Sequence, residues 1–365
     1  HFAELAFDAT NKIVAYRVNT FCNLGAYNSR FGQNIQTGLF SKVLMGVYDV
    51  QTTYLNVLGI YTNTTQVDAY RGAGRPEAIY LLERMMDRAA RELKIDPLEL
   101  RRINFIKKDN FPYRSSTGET IDVGDFDRVL SAAEISADIA GFERRKKESE
   151  AKGMLRGLGL CYYIESILGD PSEEAKVVFE EGLDVKIFVG TQSNGQGHET
   201  VFAQFLSDQI GIPIEKITVV QGDTDLIPNG GGTGGSRSVT VQNNATLATV
   251  EKVIQSFSQY LSEKLEVSLE NIEFDDISFR INGSNYSPNV LEVAKMAFDD
   301  HRFDLLTHSA KATLDARSFP NGAHFAEVEV DPETGFVQVV RYSVVDDFGN
   351  LINPMLAEGQ VHGGV

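Results

Sequence analysis

Two glycine-rich loops, each leading from an apolar strand pattern into a helix pattern, constrain this chain more than any other feature. The first loop, Gly190–His198, follows the apolar run Val185–Val189. The second loop, Gly222–Ser238, follows the apolar run Ile217–Val220. Because glycine has no Cβ, it allows positive φ and lets a backbone approach a ligand closely. The stretch Gly190–Ser238 therefore predicts two strand–loop–helix units with a ligand at the loops.

A helix is predicted behind each loop. Apolar residues recur at helical spacing over Val201–Ile210, and Gly211 and Pro213 follow in the order that ends a helix. A long amphipathic pattern from about Thr240 to Leu265 predicts the second helix. A helix start offers free N–H groups and the positive end of the helix dipole, which together bind an anion without a lysine. The two loops therefore predict an anion-binding site.

Neither loop matches a common nucleotide-binding fingerprint. Gly195-Gln196-Gly197 lacks a third glycine at the required spacing, and no Gly-Lys-Ser/Thr is present. Of the histidines, only His198 and His362 lie in glycine motifs and are candidates for a function. Loops that serve only as turns are the alternative. The side chains that could add hydrogen-bond donors are Gln196, His198, Thr233, Ser236, Arg237 and Ser238.

Charge and composition exclude several classes of protein. The chain has 365 residues and a formal net charge of −17, which argues against nucleic-acid binding as its main task. No apolar run is long enough to predict a membrane span. Cys22 and Cys161 lie far apart in apolar settings, which favours free thiols in a reducing compartment over a disulfide. We therefore expect a cytoplasmic protein.

The alternation of strand and helix patterns predicts an α+β fold with two mixed α/β domains, in which helices flank mixed sheets. A densely charged run between Gly141 and Lys152 indicates a solvated linker or helix face. We place the linker at 146–156, between a first domain at 1–145 and a second domain at 157–365. Both termini are expected to lie inside a longer protein.

Two further polar loops precede predicted helices. In Asp68–Glu77, Pro76 suits the first helical position and Glu77 suits the first turn. The second, Val345–Pro354, leads to a candidate helix at Met355–Val361.

Three shorter expectations concern segments outside these loops. Val43–Val50 is a strand candidate because it is almost continuously apolar. Phe274–Ile281 is expected to form a hairpin with a turn at 282–285. His301 and His308 lie in a polar region and are expected to be solvated.

Four motifs, taken together and in this order, resemble one known family. The chain is similar, almost from end to end, to the molybdenum-binding large subunit of the xanthine dehydrogenase/aldehyde oxidase family. Within it, the chain resembles the aerobic carbon-monoxide-dehydrogenase type most. The resemblance implies two molybdopterin-binding domains of mixed α/β type. The motifs are AYRGAGRPEA at 69–78, GTQSNGQGH at 190–198, GDTD…GTGGSRS at 222–238 and VDDFGNLINPMLAEGQVHGG at 345–364.

The resemblance implies molybdenum with a molybdopterin cofactor in its cytosine dinucleotide form. No side chain need ligate the metal, because the pterin supplies sulfur ligands. The loop that the resemblance places over the molybdenum consists of Arg71, Gly72, Ala73 and Gly74. The implied cofactor-binding residues are Gly195, Gln196, Gly197, His198, Thr233, Gly235, Ser236, Arg237, Ser238, Asp347, Asn353 and Gln360.

Two positions of this loop differ from those of well-defined relatives. Relatives that oxidise carbon monoxide carry a cysteine, which holds copper, where this chain has Gly72. Relatives that oxidise purines carry a phenylalanine where this chain has Ala73. The implied substrate is therefore an aldehyde, an N-heterocycle or a related small molecule, and a true carbon monoxide dehydrogenase is an alternative.

The implied reaction is hydroxylation with an oxygen atom from water. Electrons would leave through a medium subunit that binds FAD and a small subunit that holds 2Fe-2S clusters, arranged as a dimer of heterotrimers. The catalytic glutamate is expected beyond Val365, so residues 1–365 alone are expected to carry no molybdenum and no hydroxylase activity. Two other classes stay open: a non-catalytic protein that binds a nucleotide or phosphate metabolite, and a scaffold domain whose loops bind nothing.

Overall fold

The computed structural model describes residues 1–167 and 169–365. Its strands, in chain order, are β1 (Phe2–Phe7), β2 (Ile13–Gly25), β3 (Thr53–Tyr61), β4 (Tyr113–Arg114), β5 (Thr120–Ile121), β6 (Leu155–Ile164), β7 (Ser172–Phe179), β8 (Val185–Val189), β9 (Ile217–Val220), β10 (Ile272–Phe274), β11 (Phe279–Ile281), β12 (Thr307–Thr313), β13 (Asn321–Val330) and β14 (Val337–Asp347). Its α-helices are α1 (Gly32–Asn34), α2 (Arg75–Leu93), α3 (Pro97–Asn104), α4 (Phe126–Ala137), α5 (Phe142–Glu150), α6 (His198–Ile210), α7 (Ser238–Leu265), α8 (Val290–Asp299) and α9 (Pro354–Gly364).

These elements form two compact units. The first unit contains His1–Ser166 and Arg317–Gly349, and the second contains Ile167–Ala316 and Asn350–Val365. Each unit combines sheets that helices flank, which confirms the predicted α+β fold with two mixed units.

The units divide the chain differently from the predicted domains. The expected linker at 146–156 is filled by the end of α5 and the start of β6. Strand β6 pairs along its whole length with β13, which in turn pairs with β14. Arg145 on α5 is buried and bonds Glu327 on β13. Because the partner strand lies far away in sequence, the local charge pattern could not reveal that this run belongs to the first unit.

The first unit is built on two three-stranded sheets. In one sheet β2 is antiparallel to β1 and parallel to β3, and the other has the order β14-β13-β6. Helix α2 packs on β6, and α4 packs on β13 and β14. Aromatic rings meet within one shared core, where Tyr48 stacks on Phe105 and Tyr162 contacts Phe105 and Phe126 edge to face.

The strand predicted at Val43–Val50 is wrong. These residues form consecutive turns, in which Gly46 has a positive φ of 58° and donates its N–H to the Val43 carbonyl. Six of the seven side chains in this segment are buried in the core of the first unit. The segment is apolar because it is enclosed on all sides, and periodicity does not distinguish that environment from a buried strand.

The second unit contains the four-stranded sheet β12-β7-β8-β9, which α6 and α7 contact. Strand β7 is antiparallel to β8, and β8 is parallel to β9. Helix α6 connects the two parallel strands and ends at Gly211, whose φ is 70°. The strands β8 and β9, the helix α6 with its glycine stop, and the long helix α7 confirm the predictions for this stretch.

Two smaller expectations for the second unit need correction. The hairpin lies between β10 and β11, so its turn is at 275–278 and not at 282–285. His308 is buried, and its ring Nε2 lies 2.7 Å from the Leu305 carbonyl oxygen. His308 alternates with outward-facing residues along β12, and its ring contacts Phe179 and Phe257, which lie far away in sequence.

Candidate functional site

The two glycine loops begin at the same edge of the second unit's sheet. Because β8 and β9 are parallel, their carboxyl ends lie side by side, which is where α/β sheets bind ligands. The Thr233 hydroxyl donates to the Gln192 carbonyl oxygen at 2.5 Å. A Cβ added to Gly190 would lie 2.6 Å from the Cα of Gly230. The loops are therefore in direct contact, and that contact requires glycine.

His198 holds the first loop from inside. Its imidazole is buried, its Nδ1–H donates to the Thr191 carbonyl at 2.8 Å, and its Nε2 accepts from the Gln196 amide at 3.0 Å. Burial lowers the pKa of His198, although the bond to Thr191 opposes part of that effect. The Gln196 Oε1 accepts the Asn194 backbone N–H. Both candidate side chains therefore bond the loop to which they belong.

Arg237 holds the second loop in the same way. Its guanidinium is 1% exposed and donates to the Asp170, Ser172 and Gly232 carbonyls at 2.8, 2.6 and 2.7 Å. It also forms an ion pair with Glu173 at 2.9 Å. These bonds stabilise the shape of the loop, and the predicted contact of Arg237 with a cofactor stays a prediction.

Glu173 is a residue of the site that the sequence analysis missed. Its side chain is 1% exposed, and its Oε2 also accepts the Gly231 N–H at 2.9 Å. A signal was present, because Glu173 shares the two-residue period of Ala175, Val177 and Phe179, which are all buried on β7. A carboxylate on the buried face of a strand indicates a partner cation.

Both helix starts leave N–H groups available. Among the described residues, neither α6 nor α7 has a side chain that caps its first turn. Helix α6 carries Glu199 in its first turn, whereas α7 has no acidic residue there. Because a carboxylate opposes a second anion, the start of α7 is the more favourable position for a phosphate. Ser238 begins α7 and donates to the Thr233 hydroxyl at 3.2 Å.

Open space adjoins the loops at several glycines. A Cβ built on Gly195, Gly232 or Gly234 would meet no heavy atom of the described chain within 4 Å. Asn243, on the second turn of α7, is 6% exposed, and both polar atoms of its amide lack a hydrogen-bond partner among those residues. Open glycine loops, uncapped helix starts and an unsatisfied buried amide fit an extended anionic group such as a pyrophosphate.

The motif at 345–364, which also contains predicted cofactor-binding residues, contacts α6 through one of those residues. Asn353 caps α9 through the Leu356 N–H at 3.0 Å and donates to the Gln204 Oε1 on α6 at 3.0 Å. Gln360 is exposed on α9. Asp347 belongs to the first unit, where its Oδ1 accepts the Gly349 N–H at 2.9 Å. Asn353 is therefore the member of this set that contacts the helix of the first glycine loop.

Loop Arg71–Gly74 lies in the first unit and forms a tight turn before α2. Gly72 and Gly74 have positive φ values of 86° and 89°. A Cβ on Gly74 would lie 2.5 Å from the Leu39 Cβ and 2.6 Å from the Ile35 carbonyl oxygen. The loop therefore packs on the π-helical turn Ile35–Leu39, a contact that the sequence did not indicate.

Paired carboxylates in the loops have local partners. The Asp223 Oδ1 accepts the Asp225 and Leu226 N–H groups at 2.9 and 3.3 Å. Within residues 1–167 and 169–365, no group of three or more His, Cys, Asp or Glu side chains could hold a metal ion. In the same residues, no helix has the length and apolar character needed to cross a membrane.

The structure shows an α+β fold with two glycine loops at one sheet edge, and comparison with known proteins gives the family. Residues 132–365 match the molybdopterin cofactor-binding domain, and residues 1–105 match a second domain of the same description. The chain belongs to this family, the molybdenum-binding large subunits of the xanthine dehydrogenase type, as the motifs predicted.

Individual relatives agree with this assignment. The chain is 32% identical to the carbon monoxide dehydrogenase large chain of Hydrogenophaga pseudoflava, over 99% of the chain and 48% of the relative. It is 31% identical to the nicotine 6-hydroxylase large subunit of Paenarthrobacter nicotinovorans, over 99% of the chain and 47% of the relative. Quinoline 2-oxidoreductase from Pseudomonas putida 86 superposes with a TM-score of 0.90 at 28% identity, over 99% of the chain and 48% of that structure's chain. The chain spans about half the length of the curated relatives it matches.

Proposed function

We propose that the protein acts as the large subunit of a molybdopterin-dependent hydroxylase or dehydrogenase. The observation that carries the proposal is the meeting of two open glycine loops at the uncapped start of α7. Family membership supports a molybdopterin ligand there, and it does not favour a non-catalytic phosphate-binding protein or an empty scaffold. The cofactor takes its cytosine dinucleotide form in this proposal.

The residues have different tasks in this proposal. Backbone N–H groups at the start of α7 bind the pyrophosphate, and the loop Arg71–Gly74 lies over the molybdenum. His198 and Arg237 keep the glycine loops in shape, as their hydrogen bonds indicate. When bound, the cofactor supplies a two-electron oxidation with oxygen from water. The remaining residues proposed to contact it are Gly195, Gln196, Gly197, Thr233, Gly235, Ser236, Ser238, Asp347, Asn353 and Gln360.

We propose an N-heterocycle or an aldehyde as the substrate, rather than carbon monoxide. The loop carries Gly72 and therefore has no thiol to hold copper. Cys161 lies on β6, where burial first and then Glu83 raise the pKa of its thiol to about 12, so it stays protonated and is a poor metal ligand. Two similar proteins are named for heterocycle oxidation, nicotine 6-hydroxylase and quinoline 2-oxidoreductase.

The proposed assembly is a complex with electron-carrying partners in the cytoplasm. A flavin-binding medium subunit with FAD and a small subunit with 2Fe-2S clusters would remove the electrons, in a dimer of heterotrimers. The large-subunit names of several relatives support a complex with other subunits.

Metal and nucleotide analysis of the full-length protein, purified with its co-expressed partners, tests the proposal. We expect stoichiometric molybdenum and release of a cytidine nucleotide on acid treatment. A negative charge at the start of α7 should repel the pyrophosphate, so Ser238→Asp should lower the molybdenum content. Gln255→Asp adds the same charge at an exposed position of the same helix and is the control. Phosphate-metabolite binding by a molybdenum-free complex would instead support the non-catalytic class.

A further inference from the structure

We infer that Arg75 and Glu165 form a partly buried ion pair that positions the loop Arg71–Gly74 for the reaction. The inference rests on the proposed function, because that function places this loop over the reacting centre. Arg75 lies within the motif at 69–78 but was not itself predicted to have a role, and Glu165 lies in none of the motifs. All groups involved belong to the first unit.

The ion pair ties the loop to the sheet β14-β13-β6. Arg75 is the first residue of α2, is 5% exposed, and its Nη2 lies 2.8 Å from the Glu165 Oε1. Its Nη1 donates to the Ala73 carbonyl at 3.3 Å. Glu165 directly follows β6, and its backbone N–H donates to the Pro320 carbonyl at 2.7 Å, just before β13. The guanidinium therefore connects the loop to a rigid strand end.

The rest of the loop is fixed at one end. Gly74 packs on the π-helical turn Ile35–Leu39, and its N–H donates to the Glu77 carboxylate at 2.8 Å. Toward the other end, the Ala73 N–H donates to the Tyr70 carbonyl at 2.8 Å, which is a bond within the turn itself. The hydrogen bond from Arg75 to Ala73 therefore fixes the exposed part of the loop relative to the sheet β14-β13-β6.

Stability alone does not account for this arrangement. A buried ion pair often contributes no more than apolar residues of the same volume would. The Arg75 Nε is also buried without a hydrogen-bond partner among the described residues, which costs stability. What a planar guanidinium provides is a fixed direction for two hydrogen bonds, and here those bonds reach Glu165 and Ala73.

Hydrogen exchange and kinetics of the full-length protein with its partners test the inference. Arg75→Lys keeps the positive charge and loses the planar guanidinium with its two directed donors. Glu165→Gln keeps an oxygen acceptor and loses the negative charge. In both variants we expect amides of residues 68–74 to exchange at least about tenfold faster, as loss of a charged hydrogen bond allows. We also expect kcat/KM to fall about tenfold with molybdenum content unchanged.

Matched control variants distinguish a specific effect on the position of the loop from a general loss of stability in the first unit. Arg145→Lys and Glu327→Gln weaken another buried pair of the first unit, which bonds elsewhere. They should leave exchange at 68–74 and kcat/KM unchanged. Arg75→Met/Glu165→Leu should regain thermal stability without regaining loop protection.

Two results would overturn the inference: unchanged exchange at 68–74 in Arg75→Lys and Glu165→Gln, or an equal acceleration in the control variants. A double apolar variant that restores loop protection would also contradict it. A complex without molybdenum would instead refute the proposed function, and the exchange experiment would still decide the role of the ion pair.

Discussion

Arg237 and Glu173 face each other beneath the second glycine loop, and each side chain is 1% exposed. The arginine bonds three backbone carbonyls, and the glutamate accepts the Gly231 N–H. Removal of one partner would leave a buried charge without compensation. The pair therefore determines whether the loop keeps its shape before any ligand binds.

Arg237→Ala should destabilise the protein by about 3–5 kcal/mol, because the Glu173 carboxylate stays buried without its cation. It should also lower the molybdenum content of the full complex. Urea unfolding and metal analysis measure the two effects. Arg237→Met/Glu173→Leu removes both charges and should recover much of the stability. Loss of molybdenum with unchanged stability in Arg237→Ala would show that the arginine contacts the cofactor directly.

Two buried histidines make the stability of the second unit sensitive to acid. Burial lowers the pKa of His198 and of His308, with the carbonyls of Thr191 and Leu305 opposing part of each shift. In the unfolded chain an imidazole titrates near ~6.5. Below that pH the unfolded state binds protons that the folded state does not, so stability falls as the pH falls.

We expect the urea midpoint to be lower at pH 5.5 than at pH 7.5 as a result. His308→Gln, which lies outside the site, should make the midpoint less dependent on pH. A midpoint that rises on acidification would contradict the assignment of neutral imidazoles in the folded state.

At the scale of elements, the crossover β8–α6–β9 brings the loops together. Parallel pairing of β8 and β9 puts both carboxyl ends at one edge, and α6 returns the chain between them. Helix α7 then starts at that edge with no acidic residue in its first turn. The arrangement thus places the positive end of the α7 helix dipole beside the loops, within a chain whose net charge is −17.

Two glycine substitutions distinguish an effect on the shape of the loops from an effect on the space beside them that the proposed ligand fills. Gly190→Ala should cost about 1–3 kcal/mol, because its Cβ would lie 2.6 Å from both Gly230 Cα and a Glu173 oxygen. Gly234→Ala meets no heavy atom of the described chain within 4 Å and should leave stability unchanged. It should nevertheless lower molybdenum content, since the methyl group enters the proposed ligand space. Full molybdenum content in Gly234→Ala would show that the ligand lies elsewhere.

At the scale of the molecule, the loop Arg71–Gly74 belongs to one unit and the glycine loops belong to the other. The chain also returns to the first unit at Arg317, which makes β13 and β14 part of it. Neither unit is therefore a continuous piece of sequence, and dividing the chain at the predicted linker would separate β6, β13 and β14 from the rest of the first unit.

The purified complex should contain no stoichiometric copper and should not oxidise carbon monoxide. The reason is that Gly72 supplies no thiol to the loop, and Cys161 on β6 is half-buried, with the pKa of its thiol raised to about 12. Elemental analysis and a carbon monoxide oxidation assay check both points. Copper-dependent oxidation of carbon monoxide would refute the proposed substrate class.

The sequence by itself determined the local structure and the family. Strand β8 and the Gly211 helix stop follow from periodicity and turn residues, which act over a few neighbouring positions. The four motifs identified the family because each is a continuous run of residues.

Only the tertiary structure decided which strands pair and which side chains already form hydrogen bonds within the protein. Arg145 and Glu327 are 182 residues apart, and Arg237 bonds an oxygen of Glu173 64 residues away. The motif could nominate Arg237 and His198 as donors, but their hydrogen bonds go to the loops themselves. The choice of hydrogen-bond partner depends on which segments the fold brings within about 3 Å, and a local sequence pattern does not contain that information.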